Sequence, residues 1–190
     1  MANKTTVALT KEQYEEIIHY ILTGTMYTRP NRAVATALVL EANLGLRLGD
    51  VLALRQKDII NEMGHWRLNI HEQKTGKVRA FTVPEAVYDF IKSYCDDMGI
   101  KKEERMFSFG ERNVQLILQK VCYYLDLENI STHSFRKFFA TNAYLRSGRD
   151  IHITQILLQH SSMAITQRYL GQNSAELNEV LTEITNLPSI

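Results

Sequence analysis

Apolar residues recur at helical spacing along most of this 190-residue chain, and period-two alternation is confined to one stretch between residues 66 and 83. That single change of period constrains the fold most, because a pattern that suits a helix exposes its apolar face when laid out as a strand. Trp66, Leu68 and Ile70 alternate with Arg67, Asn69 and His71, and Val78, Ala80 and Thr82 alternate again after a turn from Gln73 to Lys77. The expected architecture is α+β: mainly α with one small antiparallel β-sheet.

Around that hairpin the helical signals are specific. Thr10 precedes KEQYEEIIHYIL as an N-cap, with Tyr14, Ile17, Ile18 and Leu22 on the apolar stripe. After Pro30 a helix from Arg32 to Leu44 is apolar on several sides, which places it centrally, and Gly45 stops it. A short helix runs through Val51, Leu52 and Leu54, Pro84 opens another, and helical patterns fill most of residues 87 to 187. Only three prolines, at 30, 84 and 188, interrupt the chain, and no repeat or linker divides it. A single domain over 1–190 is expected, with 172–190 a tail helix carrying Leu177, Val180, Leu181, Ile184 and Leu187 on one stripe.

Several function classes are disfavoured. Cys95 and Cys122 stand alone, the six histidines contain no HxxxH pair, and no phosphate-binding glycine loop is present, so neither a metal nor another cofactor is expected. Isolated thiols, no apolar run of membrane length and no signal-peptide pattern lead to an expectation of a cytoplasmic protein without a membrane partner. The net charge is +1, but residues 171–190 hold Glu176, Glu179 and Glu183 and no base, so the body sets 22 basic residues against 18 acidic ones. A mildly basic body is compatible with DNA binding without demonstrating it.

The chemistry-bearing pattern has five parts: Gly45-Leu46-Arg47, Lys74-Thr75-Gly76, His133-Ser134-Phe135-Arg136, Leu158-Gln159-His160 and, nine residues later, Tyr169. In this order it resembles the tyrosine recombinases, the phage integrase family, and the resemblance runs from about Thr10 to Tyr169. It implies a catalytic domain in which Tyr169 is the nucleophile, Arg47 and Arg136 hold the phosphate, His133 and His160 bond it or move protons, and Lys74 protonates the leaving 5′ oxygen. Elementary chemistry agrees with that division. Metal-free phosphodiester transfer needs an activated hydroxyl, planar guanidinium forks for the non-bridging oxygens, and a proton donor for the leaving group. The resemblance also implies double-stranded DNA sites as partner, a homotetramer on DNA, and accessory bending or directionality factors.

Each residue taken singly has a plainer reading. Arg47 is a loop arginine; His133 and Arg136 are ordinary neighbours three apart on a helix that Thr132 caps. His160 closes a helix whose apolar face is Ile153, Ile156 and Leu157, and Asp50 caps the helix from Val51. Lys77 competes with Lys74, although the Lys-Thr-Gly pattern favours Lys74. The ordered set is what singles these residues out. Rival functions are a type IB topoisomerase-like activity and a noncatalytic DNA-binding regulator of the same fold. The family's usual N-terminal DNA-clamping domain has no counterpart here. The chain is thus read as a fragment or as a short enzyme like the invertases that switch fimbrial promoters, with Met1 favouring the latter.

Overall fold

Thr10 starts the first helix as its position requires. Its hydroxyl accepts from the Gln13 N–H at 3.2 Å, while the Gln13 side chain accepts from the Thr10 N–H at 3.0 Å. This capping box opens α1 (Lys11–Thr23), which buries Ile17 and Ile21 and leaves the expected Leu22 45 % exposed. The computed structural model describes residues 6–74, 76 and 78–170. The tail stripe from Leu177 to Leu187 lies outside the described residues, as does Lys77.

Helix α2 (Arg32–Leu44) begins where Asn31 accepts from the Val34 N–H at 3.0 Å. It is central, as its apolar periphery suggests, and packs on α1, on α3 (Leu48–Ala53) and on α6 (Thr132–Arg146). Gly45 ends it at φ +58, and a Cβ there would lie 2.4 Å from the Phe139 ring, so both backbone and packing demand glycine. The reversal aims the following Leu46-Arg47 segment at the site described below.

The sheet holds three antiparallel strands in the order β1 (Ile59–Glu62), β2 (His65–His71) and β3 (Val78–Thr82). β1 escaped the sequence pattern. It is four residues long and joins β2 through Met63 and Gly64, both at positive φ (51 and 84). A two-residue hairpin turn of this hand usually advertises itself with Asn-Gly, and Met63 does not. In β3 the Val78, Ala80 and Thr82 face is exposed, and the inward residues are Phe81, opposite Leu68, and Arg79, opposite Ile70. Trp66 stacks on Tyr88 of α4 (Glu85–Met98) with ring centroids 3.4 Å apart, fixing the sheet against the helices.

The remaining helices are α5 (Glu111–Tyr124), α7 (Ile151–Leu158) and α8 (Met163–Leu170). Ser131, in extended backbone, caps α6, and Thr132 is the first helical residue, so the cap lies one position earlier than the sequence suggests. Ser131 N–H donates to Ser134 Oγ at 3.1 Å, so the first turn is tied by serines on both sides of Thr132. Among the described residues no helix is long and apolar enough to cross a membrane.

Candidate active site

Arg47 sits immediately before the first turn of α3, and its Nη1 donates to Glu72 Oε2 at 2.5 Å. Asp50 does not cap α3; it lies within that helix, buried, and its Oδ1 accepts from the Gln73 N–H at 2.8 Å. One short helix therefore carries Arg47 and also holds the base of the hairpin from which Lys74 projects. Lys74 itself is exposed.

Arg136 comes from the opposite wall. It is 3 % exposed, its Nη2 donates to the Leu158 carbonyl at 3.0 Å, and its Nη1 is buried with no hydrogen-bond partner. His133, one turn earlier on α6, stands at the rim, where partial desolvation of its ring and then the nearby Arg136 charge lower its pKa. Helix α7 ends at Leu158 with Gln159 in the left-handed region (φ 52), which turns the chain so that His160 faces Arg136. The expected apolar face of α7 is not buried: Ile153 and Ile156 are 43 % and 59 % exposed, while Thr154 and Leu158 point inward. His160 therefore does not merely close a core helix. Burial, then the charges of Arg136, Arg47 and Arg79, lower its pKa to about 4, so the ring is neutral at pH 7.

Tyr169 lies on α8 with its ring edge-on to His160, centroids 5.2 Å apart, and with Lys137 Nζ 5.4 Å from the ring centroid on α6. Its Oη is buried without a hydrogen-bond partner. Burial pushes its pKa up to about 12, against the pull of the adjacent Arg136 guanidinium.

Arg47, His133, Arg136, His160 and Tyr169 thus line one pocket, joined by Gln159, Ser161 and Ile165. Lys74 lines the adjoining cavity, which shares Arg47 and His133 with it. Five of the six residues singled out in the sequence share one pocket, and the sixth, Lys74, lines the cavity beside it.

The sequence did not reveal what supports them. Arg79 is 1 % exposed and donates to Glu72 at 3.3 Å, to the Leu44 carbonyl at 3.1 Å and to the Leu157 carbonyl at 2.7 Å. It joins the lysine hairpin to the ends of α2 and α7. Glu41 on α2 is fully buried, with both carboxylate oxygens unpartnered, and burial raises its pKa well above the usual range despite the Arg136 charge. A signal existed for each: a charged residue on an otherwise apolar helix, and an arginine alternating with the residues assigned to the sheet face.

Residues 8–176 match the model of the phage integrase family. The chain is 31 % identical over 167 residues to a probable integrase/recombinase, YoeC, of Bacillus subtilis, covering 84 % of this chain and 86 % of that one. Tyrosine recombinase XerC of Rhizobium meliloti is 32 % identical over 77 % of this chain, but the match takes in 48 % of XerC, so the chain spans about half the length of that relative. Among solved structures, XerH site-specific recombinase bound to its difH substrate aligns over 95 % of this chain and 54 % of its own with a TM-score of 0.69 and 20 % identity. The catalytic domain of bacteriophage HP1 integrase aligns over 93 % and 94 % with a TM-score of 0.63 and 17 % identity. Those two likenesses establish a common fold, and the sequence matches establish the lineage: this chain belongs to the phage integrase family.

Proposed function

We propose that this chain is the catalytic part of a site-specific DNA recombinase, in which Tyr169 attacks a DNA phosphodiester and holds the cut strand as a 3′-phosphotyrosyl ester. The observation that carries this reading is the buried, unpartnered Tyr169 Oη beside an unpartnered Arg136 Nη1, in a pocket that also holds Arg47 and two imidazoles. Buried polar atoms left without partners cost free energy, and a phosphate seated between them would satisfy both.

In this reaction the Oη–P bond forms as the P–O5′ bond breaks. Arg47 and Arg136 aim guanidinium forks at the non-bridging oxygens, where charge accumulates. The phenol is protonated at neutral pH, so a neutral imidazole takes its proton, and Lys74 gives one to the departing 5′ oxygen. The ester conserves the energy of the broken bond, so the free 5′ hydroxyl of a partner duplex reverses the chemistry without ATP. Four copies acting on two duplex sites, assisted by DNA-bending or directionality factors, complete the reading.

A supercoiled plasmid carrying two copies of the DNA that borders this chain's own gene tests it. Recombinant circles or inverted segments support a recombinase. Relaxation of the plasmid without exchange assigns a topoisomerase-like activity instead, and specific binding with neither product assigns a regulator.

A further inference from the structure

Thr166 lies one helical turn before Tyr169 on α8, fully buried, and its Oγ1 is 3.0 Å from Nδ1 of His160. Valine would fill the same space, so apolar packing does not call for a hydroxyl here. What the hydroxyl adds is a choice between the two forms of a neutral imidazole ring. A neutral ring carries one N–H, on Nδ1 or on Nε2, and the hydrogen bond made by one nitrogen decides the state of the other.

The hydroxyl also has one proton. If Nδ1–H donated to Thr166, the Thr166 proton would need a second acceptor, and among the described residues Oγ1 has no hydrogen bond other than the one to the ring. If Thr166 donates to Nδ1, a single bond satisfies both groups and leaves the ring proton on Nε2. The His160 and Tyr169 rings stand nearly perpendicular with centroids 5.2 Å apart, and His160 lines the pocket with Arg136 and Arg47. A phosphate there accepts from an Nε2–H, whereas a bare Nε2 would repel it.

Resting on the strand-transfer reading above, we propose that Thr166 is a positioning residue: its hydroxyl donates to Nδ1 of His160 and fixes the Nε2–H tautomer, which donates to a non-bridging phosphate oxygen. His160 then cannot accept the Tyr169 proton, and that task falls to His133, the other imidazole of the pocket. Because Thr166 and Tyr169 share one turn of α8, the same helix sets the nucleophile and the ring that flanks it.

The test pairs Thr166→Val, which keeps the volume, with Thr166→Ser, which keeps the hydroxyl. Two-bond proton–nitrogen correlation spectra of the DNA-free protein, labelled at histidine nitrogen, read the tautomer directly. Nε2–H is expected in the wild type and in Thr166→Ser, with a mixture in Thr166→Val. On a cleavable duplex, Thr166→Val should lower the cleavage rate constant by about 10- to 100-fold, below the scale for losing a whole transition-state donor. DNA affinity should stay within a few fold, and Thr166→Ser should restore the rate. An Nδ1–H ring in the wild type, or full cleavage by Thr166→Val with an unchanged tautomer, would overturn the proposal. A wild-type protein that shows Nε2–H but forms no adduct with DNA would overturn the strand-transfer reading and leave the hydrogen bond standing.

Discussion

Glu72 and Arg79 form an ion pair at 3.3 Å with both side chains 1 % exposed, and the second oxygen of the same carboxylate receives Arg47. One buried acid therefore sits between a structural arginine and one that lines the Tyr169 pocket. Burial lowers the Arg79 pKa to about 10, which leaves it charged at pH 7.

Removing Arg79 takes from buried Glu72 one of its cationic partners and removes the donor that the carbonyls of Leu44 and Leu157 share. Arg79→Ala should cost about 3–5 kcal/mol of folding stability, the usual scale for breaking a buried ion pair. Arg79→Lys should recover only part of it, because an ammonium cannot reach Glu72 and the carbonyls of Leu44 and Leu157 together. Urea unfolding at pH 7 reads both. A loss under about 1 kcal/mol in Arg79→Ala would show that the hairpin and α7 are held by other contacts.

Glu41 makes a pH prediction of definite sign. Its pKa is raised in the folded protein, so its favourable contribution is present below the ordinary carboxylate pKa and disappears as pH rises. Glu41→Gln should match the wild type near pH 4 and become progressively more stable than it toward pH 8. His160, with its pKa lowered to about 4, works oppositely by costing stability as pH falls from about 6.5, and comparing two proteins that both contain it cancels that effect. A Glu41→Gln variant that loses ground as pH rises would mean that Glu41 is an ionised partner of Arg136.

Lys74 is tested by chemistry rather than by contact. If it protonates the leaving 5′ oxygen, Lys74→Ala should slow cleavage strongly, and a bridging sulfur in place of that oxygen should restore it, because a thiolate departs without a proton. Sulfur should not rescue Arg136→Ala, which lacks stabilisation of the non-bridging oxygens and should lose about two to three orders of magnitude. Rescue of Lys77→Ala in place of Lys74→Ala would exchange the roles of the two lysines.

The main helices and the five residues that line the Tyr169 pocket were legible because each rests on a local signal. Thr10, Asn31 and Gly45 punctuate helices at fixed positions, and Arg47, His133, Arg136, His160 and Tyr169 follow in a family order that needs no coordinates. What failed depends on tertiary context. β1 is too short for a period and turns through Met63, and the burial of Arg79 rather than Val78 on β3 reverses what hydrophobicity alone suggests. Asp50 was misread as a cap because its partner, the Gln73 N–H, lies 23 residues away. Nothing local in the sequence marks Thr166, and only the fold brings it to His160.

The central claim is that Tyr169 becomes covalently joined to DNA. A nicked duplex of the target site, labelled at the 5′ end of the cleaved strand, should yield a labelled protein band that survives denaturation, because the phosphotyrosyl bond retains the upstream fragment. Tyr169→Phe, which removes the nucleophilic oxygen and almost no surface, should bind the duplex within a few fold of wild type and give no such band. A persistent labelled adduct in Tyr169→Phe, or a wild-type adduct mapped by mass spectrometry to another residue, would contradict the account.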